Sequence, residues 1–283
     1  MKQQIVSAKN IHSKKVIPGF GLSMGITISF LSLIVLIPMA SIVLSAMKLS
    51  FNEFIHIVTS KQVMSGYVVS FSCTFIAAVI NSVFGTILAW ILVRYDFPCK
   101  RIIDGMIELP FALPTAVAGI ALTTLYSDQG FIGSIFARFG IKIAYTRIGI
   151  IIAMVFIGIP FVVRAIYPVL EKLDGGYEEA ARVLGASNCR IFFKVIFPEI
   201  LPALLTGFGL ALARGIGEYG SVVFIAGNIP YKTQVASLLI MMKLEQYKYA
   251  DATAIALVLL VVSFLILLFI NLVGAISDKV TNK

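Results

Sequence analysis

Long charge-free runs dominate the chain. No charged residue falls in 16–47, 62–93, 109–127, 148–163 or 252–277, and 200–231 is interrupted only by Arg214 and Glu218. An apolar helix needs about 20 residues to cross the hydrocarbon of a bilayer. The pattern therefore predicts an all-α integral membrane protein with six transmembrane helices, over 19–47, 66–93, 105–126, 148–170, 200–226 and 252–276. The first run is far longer than the roughly 7–15 apolar residues of a signal peptide, and no A-x-A cleavage site follows it.

Composition strengthens this reading. Hydrophobic residues make up 59% of the 283 and charged ones 13%, against about half and about a quarter in soluble domains. That excludes a water-soluble enzyme, and it excludes disorder, which needs low hydrophobicity. The partner of most of the surface is membrane lipid. The net charge of +9 does not point to nucleic acid here, because cytoplasmic loops of membrane proteins collect Lys and Arg. With the N-terminus inside, the inside segments hold fourteen: Lys2, Lys9, Lys14, Lys15, Arg94, Lys100, Arg101, Arg164, Lys172, Arg182, Arg190, Lys194, Lys279 and Lys283. The outside loops hold eight: Lys48, Lys61, Arg138, Lys142, Arg147, Lys232, Lys243 and Lys248. The bias predicts both termini in the cytoplasm. Cys73, Cys99 and Cys189 show neither a disulfide framework nor metal spacing, and His12 and His56 read as solvated bystanders. No cofactor or metal is called for. Residues 1–283 read as one membrane domain, without repeats or linkers.

The longest inside loop, 171–199, carries unusual order. Asp174-Gly175-Gly176 starts a helix, Glu178 and Glu179 sit in the first turn where the helix dipole favours acids, and Ala180, Ala181 and Arg182 continue it. Gly185 is placed as a left-handed C-cap. Ser187 caps a second predicted helix over 188–197. A two-turn helix does not hold itself together in water, so it must dock, either on its own bundle or into another chain.

Glu179-Ala180-Ala181-x3-Gly185, with Val195 and Phe197-Pro198 downstream, resembles the EAA loop of ABC importer permeases, with a conservative departure from the usual Ile-spacer-Leu-Pro ending. Residues 109–119, LPFALPTAVAG, look like the third span of sulfate and molybdate permeases. Residues 217–230 are similar to their Gly-Glu-Phe-Gly segment, with Tyr219 in place of the usual Phe. Residues 232–238, KTQVASL, look most like the T-subunit group of sulfate/thiosulfate importers. The resemblance implies a type I permease fold, a coupling helix that touches the ATPase through Glu178, Glu179, Ala180, Ala181 and Gly185, and a bacterial plasma membrane. It also implies ATP-binding subunits, a second homologous permease subunit and an external sulfate-binding protein. The chain itself has no Gly-Lys dipeptide, so it has no phosphate-cradling P-loop, and any ATP is hydrolysed elsewhere.

Two features mark the interior. Arg214 and Glu218 are read as the only opposed charges inside a span, paired at i,i+4 on one helix face. A lone charge there costs roughly 2.5–3.5 kcal/mol on insertion scales. Because Glu218 would cancel the field of Arg214, the pair reads as a gate or scaffold and not as a sulfate ligand. Gly207, Gly209, Gly215, Gly217 and Gly220 keep that helix thin. In the third span Pro110 and Pro114 force a kink or an opening, which frees backbone groups and the Thr115 hydroxyl to face a path; the alternative is a static kink for packing.

Competing readings are a molybdate or tungstate permease, since these are also tetrahedral dianions, and an ion-coupled secondary transporter. The latter usually shows paired broken helices, and only one broken span is predicted. A membrane-embedded enzyme has no acid, base or nucleophile constellation to support it.

Overall fold

The computed structural model describes residues 20–281. Lys2, Lys9, Lys14, Lys15, His12 and Lys283 lie outside them, as does the start of the first predicted span, and the Lys279 side chain is likewise undescribed. The chain divides into two units, Met1–Lys48 and Leu49–Lys283. In the first, α1 (Phe20–Ala46) is apolar on every face and passes through one π-helical turn, Ser32–Leu36.

The second unit is built from α2 (Phe51–Val58), α3 (Lys61–Arg94), α4 (Lys100–Ala112), α5 (Thr115–Tyr126), α6 (Gly133–Arg138), α7 (Arg147–Lys172), α8 (Gly175–Val183), α9 (Asn188–Ile216), α10 (Gly220–Ile225), α11 (Ala236–Glu245) and α12 (Tyr249–Thr281). No strand occurs among the described residues. Among the described residues five helices are long and apolar enough to cross a membrane, α1, α3, α7, α9 and α12, and the bent pair α4–α5, counted as one broken span, makes a sixth. The two proline-free long helices, α3 and α12, run uninterrupted. His56 sits exposed in the short amphipathic α2.

Three expectations need correction. The third span is not one kinked helix over 105–126. It is two helices whose axes turn by 113°. Leu113 is driven extended (φ −86°, ψ 135°) by the proline that follows it, and Pro114 takes the N-cap position of α5. Pro110 stays inside α4 and is buried. The fifth span is not continuous over 200–226 either, for α9 ends at Ile216 and the chain restarts as α10 at Gly220. Finally, the helix expected over 188–197 is no separate element. It runs on through a π-helical turn at Phe192–Ile196 as the first part of α9; Pro198 falls just after that turn, which accommodates its missing N–H, while Pro202 is carried inside the helix beyond it.

Apolar clusters fix the two ends of this unit. At one end Ala89 and Leu92 of α3 meet Val162, Val163, Ile166 and Leu170 of α7 and Ile191, Ile196 and Ile200 of α9. At the other, Val69, Cys73 and Ala77 of α3 meet Ile150 and Met154 of α7, with Val222, Ala226, Val235 and Leu238. In lipid, helices associate by close packing and not by the hydrophobic effect, so small residues mark the contacts. On α9 a Cβ added at Gly207 would fall 2.8 Å from Val162 Cα, at Gly215 2.5 Å from Thr74 Cγ2, and at Gly209 3.0 Å from Ile270 Cγ2. Three of the five expected glycines thus each seat one neighbouring helix. The other two lie past the end of α9.

Candidate translocation path and coupling loop

The breaks in the third and fifth spans lie against each other. A Cβ at Gly119 of α5 would sit 2.5 Å from Ser221 O, and one at Gly220 would collide with the Thr115 hydroxyl. Thr115 is half-buried at this junction, and Pro114 beside it is exposed. Glu218 stands in the gap between α9 and α10, 1% exposed. Its Oε1 accepts hydrogen bonds from Ser221 N–H at 2.9 Å and from Ser221 Oγ at 3.0 Å, which satisfies the start of α10. Its own carbonyl accepts a bond from Ser237 Oγ of α11 at 2.7 Å.

Arg214 Nη1 lies 2.5 Å from Glu218 Oε2. The expected pair therefore forms, but not along one helix face, because α9 has ended before Glu218. Oε2 makes no aligned hydrogen bond, so charge holds that side of the carboxylate. The two partners are unequal, as the Arg214 side chain is 38% exposed and that of Glu218 1%. The pair ties the last turn of α9 to the restart of α10 and, through Ser237, to α11.

A second set of opposed charges lies within the spans, contrary to the expectation of one. Arg164 of α7 reaches both Asp104 (2.8 Å) and Glu108 (2.7 Å) of α4. Its place just after the charge-free run puts it with the loop in the charge count, yet α7 carries on to Lys172. These contacts, with Phe111 edge-on to Phe161 at 5.1 Å, hold the first half of the broken span to α7.

The loop at the other end is docked on its own bundle and open to a partner. Asp174 caps α8 by accepting from Gly176 N–H at 2.9 Å. Gly185, at φ +79°, closes it, with Gly185 N–H to Arg182 O at 2.9 Å and Ala186 N–H to Ala181 O at 3.0 Å. That is the paired bonding of a Schellman cap. Ala181 and Ala186 pack on the apolar cluster beneath. The two glutamates divide. Glu178 turns inward, its side chain 12% exposed, and pairs with Arg94 at the end of α3. The guanidinium of Arg94 lies 5.4 Å from the Trp90 ring. Glu179 and Ala180 turn outward with Tyr177, Val183 and Leu184. Val183 and Leu184 are 88% and 87% exposed, a bare apolar edge on an otherwise polar loop.

A bundle of membrane-length helices with two abutting breaks, and a short helix docked by one face only, defines a transport subunit of the importer permease class. Solved structures share the fold. A bacterial ABC transporter involved in the import of the acidic polysaccharide alginate matches with a TM-score of 0.75 over 91% of this chain and 96% of that one, at 18% identity. An inward-facing MetNI methionine ABC transporter matches with a TM-score of 0.57 over 76% and 96%, also at 18% identity.

The chain belongs to the family of binding-protein-dependent transport system inner membrane components, whose model matches residues 81–282. It is 47% identical over 261 residues (92% of this chain, 94% of the other) to the sulfate transport system permease protein CysT of Salmonella typhimurium. It is 49% identical to the protein of that name from Synechocystis, over 91% of this chain and 90% of that one. A probable sulfate permease of Chlorokybus atmophyticus is 48% identical, over 89% and 88%. The chain is thus an inner-membrane transport component, and ATP-binding subunits and an external binding protein are the partners its class works with.

Proposed function

We propose that this chain is a membrane-spanning subunit of an ATP-driven sulfate importer, with residues 1–283 acting as one membrane domain. The observation that carries the reading is 47% identity over 92% of the chain to a sulfate permease. The geometry supplies the working parts. The exposed edge of α8, with Glu179, Ala180, Val183 and Leu184, is the contact with the ATP-binding subunit. Glu178 and Ala181 face the bundle and carry the motion of that contact into α3 and the cluster around α7 and α9, with Gly185 fixing the angle at which α8 leaves. A second homologous permease subunit completes the path. The abutting breaks, with Pro110, Pro114, Thr115, Arg214 and Glu218, form the element that opens and closes between outward- and inward-facing states. ATP-driven closure of the partner subunits shifts α8, and the break at the far end answers.

Labelled sulfate uptake in cells lacking their own sulfate importers tests this. Uptake should appear with the full set of subunits, stop when the ATPase is inactivated, and survive a protonophore while ATP is maintained. Loss of uptake to the protonophore alone would make the chain an ion-coupled transporter.

The charge bias supports an orientation with α8 and both termini in the cytoplasm. Cys99 and Cys189 are exposed at the α8 end and Cys73 is buried. A membrane-impermeant maleimide should therefore label none of the three in intact cells, and Cys99 and Cys189 but not Cys73 in inside-out vesicles. Labelling of Cys189 from outside would reverse the orientation.

A further inference from the structure

Several cations around this bundle are paired with carboxylates. Arg94 meets Glu178, Arg164 meets Asp104 and Glu108, Arg214 meets Glu218, Lys142 meets Asp128 at 3.5 Å, and Lys243 meets Asp251 at 2.8 Å. One cavity differs from these paired sites in bringing two cations together without an acid. It has a volume of about 350 Å³ and lies between the α6–α7 and α10–α11 connections. Arg147 and Lys232 both line it, with Tyr145, Thr146, Tyr231 and Thr233, and no acidic residue does. Among the described residues neither Arg147 nor Lys232 has a carboxylate within 4.0 Å.

The cavity is held by its own bonds. Tyr145 (φ +63°) and Tyr231 (φ +62°) both adopt the left-handed conformation, which bulky residues keep only where the surroundings enforce it. Tyr145 N–H donates to Ile225 O at 2.7 Å. Its ring packs so closely on Gly227 that a Cβ there would lie 2.8 Å from Tyr145 Cδ1. Thr233 Oγ1 donates to Ala226 O at 2.6 Å and accepts from Ile229 N–H at 3.0 Å. Arg147 Nε donates to Lys232 O at 3.0 Å. One nitrogen of the guanidinium thus fixes its position, and among the described residues Nη1 and Nη2 have no hydrogen-bond partner. An arginine fork pinned in this way, beside a lysine ammonium, matches the oxygens of a small oxyanion.

We infer that this cavity is a receiving site for a tetrahedral oxyanion, sulfate in the first instance, before it passes the Glu218 break. The inference rests on the proposed transport function and on the orientation that puts this end outside. Charge decides between the two arginine sites. At Arg214 a carboxylate 2.5 Å away cancels the field, whereas Arg147 and Lys232 present two uncancelled charges to a dianion. Continuity adds to this, since the 226–233 segment that builds the cavity follows directly from α10, the helix that Glu218 caps.

The test uses the assembled importer in nanodiscs, with labelled sulfate as the probe in equilibrium dialysis at low ionic strength. Wild type should bind sulfate saturably, with molybdate competing. Lys232→Gln, at a lysine whose ammonium has no salt bridge or hydrogen bond among the described residues, should weaken binding about tenfold, as expected for losing one charge-assisted contact in a partly solvated site. Arg147→Lys keeps the charge but loses the fork, and should fall between the two. No saturable binding in wild type, or unchanged binding in Lys232→Gln, overturns the site. So does a Lys232→Gln importer that binds sulfate normally but no longer captures the sulfate-loaded binding protein, for then the cations dock an acidic protein surface. The transport function is judged separately. Saturable, Lys232-dependent binding without ATP-driven uptake would sink the function and keep the site; normal uptake with Lys232-independent binding would do the reverse.

Discussion

Arg214→Gln should destabilise the assembled permease far more than Glu218→Gln. Removing one partner of a buried ion pair typically costs about 3–5 kcal/mol, because the other charge is stranded. The stranding here is one-sided. Without Arg214, Glu218 keeps only the two Ser221 donors for a charge that is 1% exposed. Without the charge on Glu218, the amide oxygen of Gln still accepts from Ser221, and Arg214 has open space in which to find other partners. That loss should be nearer 1–3 kcal/mol, the range for a hydrogen bond to a charged group. The double mutant leaves nothing stranded and should regain much of the stability that Arg214→Gln loses. Thermal melting in nanodiscs gives the stabilities, and sulfate uptake per assembled complex gives the function. Equal losses for the two single mutants, or strictly additive losses without recovery, would rule out the pair as the fastening between α9 and α10.

How legible such features were in the sequence depended on their range. The spans were readable because a bilayer imposes a length and a polarity on each helix separately, without regard to its neighbours. The break after Leu113 was partly readable, since proline acts on its own backbone and on the residue before it. The break at 217–219 was not. It has no proline, Glu218 fits the i,i+4 pattern whether or not the helix continues, and what ends α9 is the set of bonds from Glu218 to Ser221 and Ser237. Only tertiary placement supplies the Ser237 bond. The same holds for Arg164. The sequence put it just after a charge-free run, and only α4 folding back against α7 brings Asp104 and Glu108 to it. Gly185 is the converse case, because a left-handed cap is a local property of a helix end, and Gly185 adopts the expected left-handed conformation. Glu178 and Glu179 were indistinguishable by propensity. Which of them faces Arg94, 84 residues earlier in the chain, is decided by how α8 lies on the bundle.

That division between the two glutamates yields the other large expected effect. Glu178→Lys should place an ammonium against the Arg94 guanidinium in a site where the glutamate side chain was 12% exposed, turning an attraction into a repulsion. It should detach α8 from α3, lower the melting temperature of the permease, and abolish both ATPase co-purification and sulfate-stimulated ATP hydrolysis. Arg94→Glu combined with Glu178→Lys should restore the anchor and much of the coupling. Glu179→Lys, on the exposed face, should leave the melting temperature unchanged and weaken only the capture of the ATPase. Gly185→Val tests the third part. Nothing lies within 4 Å of a Cβ at this position, yet φ is +79°. The cost is therefore in the backbone alone, about 1–2 kcal/mol for a side chain in the left-handed region, spent on misdirecting the end of α8 without disturbing the core. It should cut ATP hydrolysis coupled to sulfate with little loss of assembly in the membrane. If Glu178→Lys melts like wild type while losing the ATPase, and the charge swap fails to restore it, then Glu178 touches the partner directly and motion enters the bundle by another route.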